Sequence, residues 1–317
     1  MVLLIEKLNK IYSKLENHHP HPHPHPQHQS EVLLASLEAF KSDVSNFINQ
    51  LRLNLKPGTG ILSLTWVQQC FELLCFTNKA FAKLAVDIDY HMREWKAKTI
   101  EEYLNSSLSL LDLLNSVTSS LSHLRQARLL LSHALSVVGS SSSPASGIER
   151  LKDFKFKTLN KDFKQQEGKE ADKERTSSDK EWVVYQALME VKRIEFWVCS
   201  VLMAALSGDA KPYLEMRKSA GMLSSTSLVN LDNRVYEIIV EKGFVLREVE
   251  ELKEGADGLA ASAAAKGSSN TAVEEMQRRL KGFEELLDSF RKGVDRLFSE
   301  VLTGRNELLH SIRYTKH

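Results

Sequence analysis

The stretch from residue 99 to residue 138 constrains the fold more than any other, because an apolar stripe runs along its whole length. Leucine and valine recur there at steps of three and four residues, which places them on one face of an α-helix. Such a helix is roughly 60 Å long at about 1.5 Å per residue, too long for a compact globular helix. The stripe consists of Leu104, Leu108, Leu111, Leu114, Val117, Leu121, Leu124, Leu131, Leu135 and Val138.

Capping residues predict the ends of this helix. Thr99 followed by Glu102 has the form of an N-terminal capping box, in which each side chain bonds the other residue's backbone amide. Gly139 lies where a C-terminal glycine cap belongs. We therefore expect a helix that begins at Thr99 and ends at Val138.

Arg128 interrupts the stripe, and two interpretations are open. Its guanidinium can reach past the edge of the stripe to solvent while the aliphatic stem covers apolar surface. Alternatively, the guanidinium meets an acid from a neighbouring helix. We favour the first interpretation, and Arg128 is the candidate buried polar position of the chain.

Further segments carry stripes of the same kind, so the long helix has partners within its own chain. The last segment has a heptad-like spacing, but the core of an internal bundle is favoured over an intermolecular coiled coil because the other stripes need a partner. We predict an all-α fold, an elongated antiparallel bundle of long helices joined by flexible linkers. The striped segments span residues 33–55, 67–84, 184–205, 228–252 and 276–301.

The chain divides into three predicted parts. Residues 1–17 form a short amphipathic helix, residues 18–28 a histidine–proline linker, and residues 29–317 the bundle domain. Proline blocks helix in the linker; transient binding of a transition metal by its imidazoles is the alternative, although nothing there fixes the ligands. Small or charged residues predict mobile inserts in the bundle domain at about 139–147, 164–178 and 255–270.

Thr176, Ser177 and Ser178 follow Arg175 in a densely charged stretch and are candidate phosphorylation sites. The competing interpretation is structural, because Ser178 with Glu181 also has the form of the capping box of the next helix. We favour the structural interpretation.

The charge balance excludes one broad class of function. With 42 basic and 41 acidic residues the formal net charge is +1, which leaves no positive field to attract nucleic acid. The three cysteines form neither a paired framework nor a CxxC motif, so reduced thiols in an intracellular compartment are expected. The N-terminal residues make a poor signal or transit peptide. We expect a cytoplasmic protein and leave association with endomembranes open.

The sequence contains no Gly-rich phosphate loop and no HExxH, GxSxG or CxxC motif. We therefore assign no catalytic, cofactor-binding or metal-binding residue. We predict that the protein is not an enzyme and that it works through protein partners of unknown identity. An enzyme acting on a small apolar metabolite stays an alternative, and it would need an enclosed pocket between helices.

A peripheral membrane or vesicle-trafficking adaptor is the second alternative. It rests on an apolar run from Phe196 to Leu206 and on the basic residues Arg305, Arg313 and Lys316. The run has only about half of the roughly 20 residues needed to span a bilayer. A helix buried on every side within the bundle is the favoured interpretation of the run.

Several separated blocks of sequence carry a family resemblance. FWVCSVLMAALSG at 196–208 and VLTGRNELLHSIR at 301–313 belong to it, as do W-x7-YL at 95–104 and LLDLLN at 110–115. The pattern W-x3-C/A-x-E-x-LC falls on Trp66, Cys70, Glu72, Leu74 and Cys75. In these blocks and their order the chain resembles the plant BYPASS (bypass-one) family.

The resemblance implies a plant-specific helical protein with no established enzymatic activity. It also implies a role in root and shoot development, exerted by restraining a mobile root-derived, carotenoid-related signal that arrests shoot growth; relatives appear in stress responses. No catalytic residues are carried over, since the family has none assigned. The histidine–proline tract at 18–28 departs from the family pattern.

Overall fold

The computed structural model describes residues 26–55, 62–140, 179–219, 223, 225–264 and 270–314. Within them the chain forms eight α-helices and one 3-10 turn, Met92–Glu94, so the predicted all-α bundle is confirmed. The helices are α1 Pro26–Asn54, α2 Leu64–Asp87, α3 Ala97–Ser140, α4 Asp179–Ser207, α5 Lys211–Lys218, α6 Thr226–Lys242, α7 Arg247–Ala264 and α8 Asn270–Tyr314.

Some predictions fall on residues outside the described ranges. These are the helix at 1–17, most of the histidine–proline linker, most of the insert at 139–147, the insert at 164–178, and the phosphorylation candidates Thr176, Ser177 and Ser178. The linker prediction is wrong at its end, because residues 26–28 form the first turn of α1. Pro26 opens that helix at a position where no intrahelical amide donor is required.

Four helices form the core, with α4 and α8 both lying between α2 and α3. The Thr99 hydroxyl donates to Glu181 and the Ser106 hydroxyl donates to Glu195, so residue numbers rise together along α3 and α4. These two helices are therefore parallel. The start of α4 lies beside the start of α3 and not beside its end, which the sequence did not indicate.

The last helix, α8, runs antiparallel to α3 along most of its length. Arg128 pairs with Glu284 in the first half of α8, and Arg305 in the second half donates to the Leu104 carbonyl oxygen. With 44 residues in α3 and 45 in α8, each helix is about 66 Å long at about 1.5 Å per residue. The two longest helices thus give the bundle its elongated form.

The predicted caps of α3 are wrong, although the helix itself is confirmed. Thr99 lies inside the helix and its hydroxyl donates to Glu181, while Glu102 forms an ion pair with Lys192. Both side chains therefore bond α4 instead of the backbone of their own helix. Gly139 is not a cap either, because α3 continues through it to Ser140.

The mobile insert predicted at 255–270 is wrong for residues 255–264, which form the second half of α7. Small residues let this helix approach α8 closely: a Cβ atom added to Gly255 would lie 2.9 Å from the Met276 sulfur. The Arg279 guanidinium of α8 also donates to the Glu251 carbonyl oxygen at 3.1 Å. The small residues at this position serve helix packing.

Arg128 does not snorkel to solvent, and the favoured sequence interpretation is wrong. Its guanidinium forms an ion pair with Glu284 of α8, and its side chain is only 14% exposed. One helical turn earlier, Arg125 forms a similar pair with Asp288. The interruption of the stripe is therefore an ionic contact between the two longest helices, as the alternative interpretation held.

Replacing Arg125 with alanine is expected to lower the free energy of unfolding by no more than about 1 kcal/mol, because both charges of its pair are over one third exposed. Arg128→Ala should cost more, since its stem is buried and Glu284 loses its partner. Urea unfolding measures both values, and high salt should shrink the Arg125 effect more. Equal costs at the two positions would contradict the buried placement of Arg128.

The apolar run of α4 is buried within the bundle, as the favoured interpretation held. Every residue from 197 to 207 is buried, and α4 contacts α1, α2, α3 and α5. Among the helices of the described residues, none combines the length and the apolar character needed to cross a membrane. Burial by these four neighbouring helices explains why this helix is apolar on every side.

Candidate functional site

All four core helices meet around one small cavity of about 10 Å³. Asn78 of α2, Ser106 of α3, Glu195 of α4 and Val301 of α8 contribute to its wall. A cavity of this volume is at the lower limit for a single water molecule. It is far too small for a metabolite, so it gives no support to the enzyme alternative.

Glu195 is the chemically distinctive group at this four-helix junction. Its side chain accepts a hydrogen bond from the Ser106 hydroxyl and a second from Asn78, and the residue is only 6% exposed. Burial raises the pKa of Glu195 to about 7, because desolvation outweighs these two hydrogen bonds and the charge of Lys192. The carboxyl group therefore exchanges its proton near neutral pH.

Lys192 lies one helical turn before Glu195, and its positive charge lowers the pKa of that carboxyl group. Its ammonium forms an ion pair with Glu102 of α3, with side-chain exposures of 15% and 21% for the lysine and the glutamate. This pair links the parallel helices α3 and α4. The positive charge of Lys192 therefore acts both on Glu102 of α3 and on the carboxyl group of Glu195 on its own helix.

Tyr103 also lines the cavity, and charged residues of α8 act on its hydroxyl. Burial, reinforced by the nearby Glu195 and Glu307, raises the pKa of Tyr103 to about 12, although Arg305 lowers it. Arg305 also donates to the Leu104 carbonyl oxygen and, at 3.0 Å, to the Ser107 hydroxyl. The phenol thus stays protonated at neutral pH, and Glu195 is the titrating group of the junction.

A second buried carboxylate, Glu181, fastens the start of α4 to the turn before α3. It accepts hydrogen bonds from the Tyr90 hydroxyl at 2.8 Å, from the Lys96 backbone amide at 3.2 Å and from the Thr99 hydroxyl. Three donors compensate the desolvation of one carboxylate. This arrangement is structural, because its oxygens are occupied by fixed donors of the chain itself.

A third buried carboxylate, Asp232, joins α4, α5 and α6. It accepts from the Trp197 indole at 2.9 Å and the Tyr213 hydroxyl at 2.6 Å, and it pairs with the Arg217 guanidinium at 3.0 Å. Burial and the adjacent Asp232 raise the pKa of Tyr213 well above its ordinary value. Arg217 also lies over the Tyr236 ring, 3.9 Å from its centroid.

Two open clefts lie on the surface and carry charges of both signs. The larger, about 630 Å³, lies at α5 and α6, and the other, about 490 Å³, lies between α2 and α8. The first cleft has three basic and two acidic side chains, and the second has two basic and three acidic ones. The excess in each is a single charge, so neither cleft presents a strong field that selects one ligand charge. The charged residues are Lys211, Arg217, Lys218, Asp209 and Glu215 in the first, and Glu72, Glu285, Asp288, Lys292 and Arg296 in the second.

The cysteines are buried, and none is activated. Burial raises the pKa of Cys75 to about 11 and those of Cys70 and Cys199 well above their ordinary range. These thiols therefore stay protonated and unreactive at neutral pH. In the part of the chain that the structure describes, no group of three or more His, Cys, Asp or Glu side chains could hold a metal ion.

Sequence reasoning missed the group at the junction. It placed a candidate polar position at Arg128, which lies at the contact of α3 with α8. A signal for Glu195 was present, because this acid stands between Ile194 and Phe196 at the start of the apolar run that continues to Leu206. An acid in a buried stretch of helix needs hydrogen-bond donors from its neighbours, but the sequence does not show which helices supply them.

The fold and these contacts define a class, an all-α bundle protein whose buried carboxyl groups connect α4 to the helices around it. The chain belongs to the BYPASS family, since the family model described as Protein BPS1 matches residues 90–310. The resemblance carried by the sequence blocks is thereby confirmed.

Curated plant proteins are similar over much of the chain. It is 25% identical over 301 residues to Protein BPS1, chloroplastic, from Arabidopsis thaliana, a match that covers 90% of this chain and 85% of the relative. It is 26% identical over 245 residues to UPF0496 protein 4 from Oryza sativa subsp. japonica, covering 72% of this chain and 53% of the relative. The chain therefore spans about half the length of that rice protein. No solved structure matches the chain.

Proposed function

We propose that this protein is a non-enzymatic regulator that acts through protein partners in root and shoot development. In this role it restrains a mobile root-derived, carotenoid-related signal, or it acts in a stress response as other family members do. The observation that supports the proposal most is the family match to residues 90–310, which takes in α3 to α7 and most of α8. The matched region therefore includes the buried groups that connect these helices.

The outer surface of α3 supports a role in protein binding. Leu129 and Leu130 are adjacent there, with 53% and 60% of each residue exposed. Exposed leucines are common singly, but an adjacent pair offers apolar area that a partner can cover. Affinity purification from plant tissue should recover a partner with the wild-type chain and less of it with the Leu129→Ser/Leu130→Ser variant. Failure to recover any reproducible partner would count against the proposal.

Disruption of the gene in its plant is expected to arrest shoot growth, because the root-derived signal is no longer restrained. An inhibitor of carotenoid synthesis should relieve the arrest, since the proposed signal depends on that chemistry. Shoot length with and without inhibitor measures both effects, and re-expression of the wild-type chain is the control for the disrupted gene. Normal shoots in the disrupted line, or arrest that the inhibitor leaves unchanged, would contradict the developmental role.

The membrane adaptor stays a second hypothesis with fewer supporting residues than the sequence suggested. Its apolar run is covered by neighbouring helices, and Arg305 donates to α3 instead of standing free at the surface. Lys316 lies outside the described residues. Flotation with anionic liposomes tests this hypothesis, and protein that stays at the bottom of the gradient removes it. The cytoplasmic location likewise stays a prediction, because the Arabidopsis relative has "chloroplastic" in its name.

A further inference from the structure

We propose that protonation of Glu195 controls the contact between α3 and α4, which we call the seam. While Glu195 carries its proton, Lys192 of α4 stays paired with Glu102 of α3, and loss of that proton releases Lys192 from this pair; we call this device a latch. The seam is closed when Lys192 pairs with Glu102 across it. Glu195 lies three residues after Lys192 on α4, so the same ammonium can reach either carboxylate. This device goes beyond the developmental role and does not depend on it.

The surroundings of Glu195 make its charged state costly. Besides Asn78 of α2 and Ser106 of α3, the groups that act on it or lie beside it are Tyr103 of α3, Lys192 and Cys199 of α4. Arg305 and Glu307 of α8 act on Tyr103. Lys192 is the cation among the direct neighbours, and Glu102 already engages it. Among these neighbours, Lys192 is therefore the cation that a deprotonated Glu195 can recruit, and it already forms the ion pair with Glu102 across the seam.

The change of partner of Lys192 from Glu102 to Glu195 conserves protons and charge. At lower pH Glu195 is neutral and Lys192 pairs with Glu102 between the two helices. As pH rises, the Glu195 proton passes to solvent and leaves a buried carboxylate beside the lysine. The ammonium turns to Glu195 along α4, and Glu102, which is partly exposed, is left to water. The interhelical ion pair is replaced by one within α4, and the seam between the parallel helices loosens.

The sign of the pH effect follows from the raised pKa. Glu195 binds its proton more tightly in the folded chain, at a pKa of about 7, than at its ordinary value of 4.5. Its stabilising contribution is complete below the ordinary value and is lost as pH rises through about 7. Between about pH 6 and pH 8 this single group should lower the folding equilibrium constant by about tenfold.

The test compares the full chain with two glutamine variants of α4. Urea unfolding across pH should show the tenfold loss in the wild type and in Glu190→Gln, whose position carries a carboxylate already bonded to Arg193 at 3.3 Å. Glu195→Gln should lack this loss. A pH dependence that is the same in Glu195→Gln as in Glu190→Gln would overturn the proposal. Titration of the Glu195 carboxyl carbon by NMR in the wild type keeps the test decisive if Glu195→Gln does not fold.

A third variant distinguishes the latch from a titration of Glu195 that leaves the ion pair between α3 and α4 unchanged. Glu102→Gln frees Lys192 to stabilise the Glu195 carboxylate, so the midpoint of the Glu195 titration should move to lower pH. In the wild type, hydrogen exchange of the α4 amides around Glu195, corrected for intrinsic rates, should accelerate above the midpoint. A titration midpoint that Glu102→Gln leaves unchanged, or amide hydrogen exchange that does not respond to pH, would overturn the proposed change of ion-pair partner.

Discussion

Replacement of Asp232 with alanine is expected to lower the free energy of unfolding by about 3–5 kcal/mol, because it removes one partner of a buried ion pair. The carboxylate of Asp232 is 4% exposed and satisfies the Trp197 indole, the Tyr213 hydroxyl and the Arg217 guanidinium together. Alanine leaves all three donors without that acceptor. The cost therefore combines a cation that loses its charged partner with a buried indole that loses its acceptor, while the Tyr213 hydroxyl keeps the carbonyl oxygen of residue 232, 3.0 Å away.

Equilibrium urea unfolding of the variant measures this loss, and Asn233→Ala is the matched control. Asn233 is the next residue of α6 and also accepts from Arg217, at 3.0 Å, but it is exposed. Its removal should cost less than about 1 kcal/mol, since water replaces the lost hydrogen bond. Asp232→Asn should fall between the two, because it keeps an acceptor and loses the charge. Asp232→Ala with a cost as small as that of Asn233→Ala would refute a structural role for this carboxylate.

Replacement of Phe290 with alanine should be about as costly, lowering the free energy of unfolding by about 3–5 kcal/mol through lost burial and the cavity left behind. Phe290 is fully buried where α8 packs on α2, and its ring meets that of Phe71 edge to face, with centroids 5.4 Å apart. Aromatic pairs of this geometry add to the free energy of burial. The site has little freedom to collapse, because both rings belong to long helices fixed along their length.

Phe298→Ala on the same helix is the control for Phe290→Ala, since Phe298 is only partly buried. Thermal unfolding followed by circular dichroism at 222 nm compares the two variants with the wild type. We expect a clearly larger decrease in melting temperature for Phe290→Ala. Equal decreases would show that Phe290 contributes no more at the contact of α2 with α8 than a partly buried side chain of α8 does.

The length and the buried face of α3 could be predicted from the sequence, because helical spacing depends only on the order of apolar residues. The ends of the helix could not. Thr99 and Glu102 have the right spacing for a local cap, yet both bond α4, and a tertiary partner outweighed the local one. Spacing within one segment carries no information about a donor or an acid that arrives from another helix.

Which helices pack together, and in which direction, could not be predicted from the sequence for a related reason. Any apolar stripe can cover any other, so the stripes predicted a bundle without predicting that α3 and α4 are parallel. Glu195 shows the same limit at the scale of one side chain. Its position beside the apolar run was visible, but its elevated pKa results from burial in the assembled core, which outweighs the lowering effect of the hydrogen bonds from Ser106 and Asn78.

The pairing of α3 with α8 has a consequence for the order in which the chain is made. The contact of Arg128 with Glu284 joins residues 156 positions apart. At about 5–20 residues per second, a ribosome needs roughly 8–30 s to deliver α8 after it has finished this part of α3. During that interval the part of the leucine stripe that α8 covers faces water or a chaperone, and an mRNA truncated before α8 would yield a chain that leaves this part uncovered.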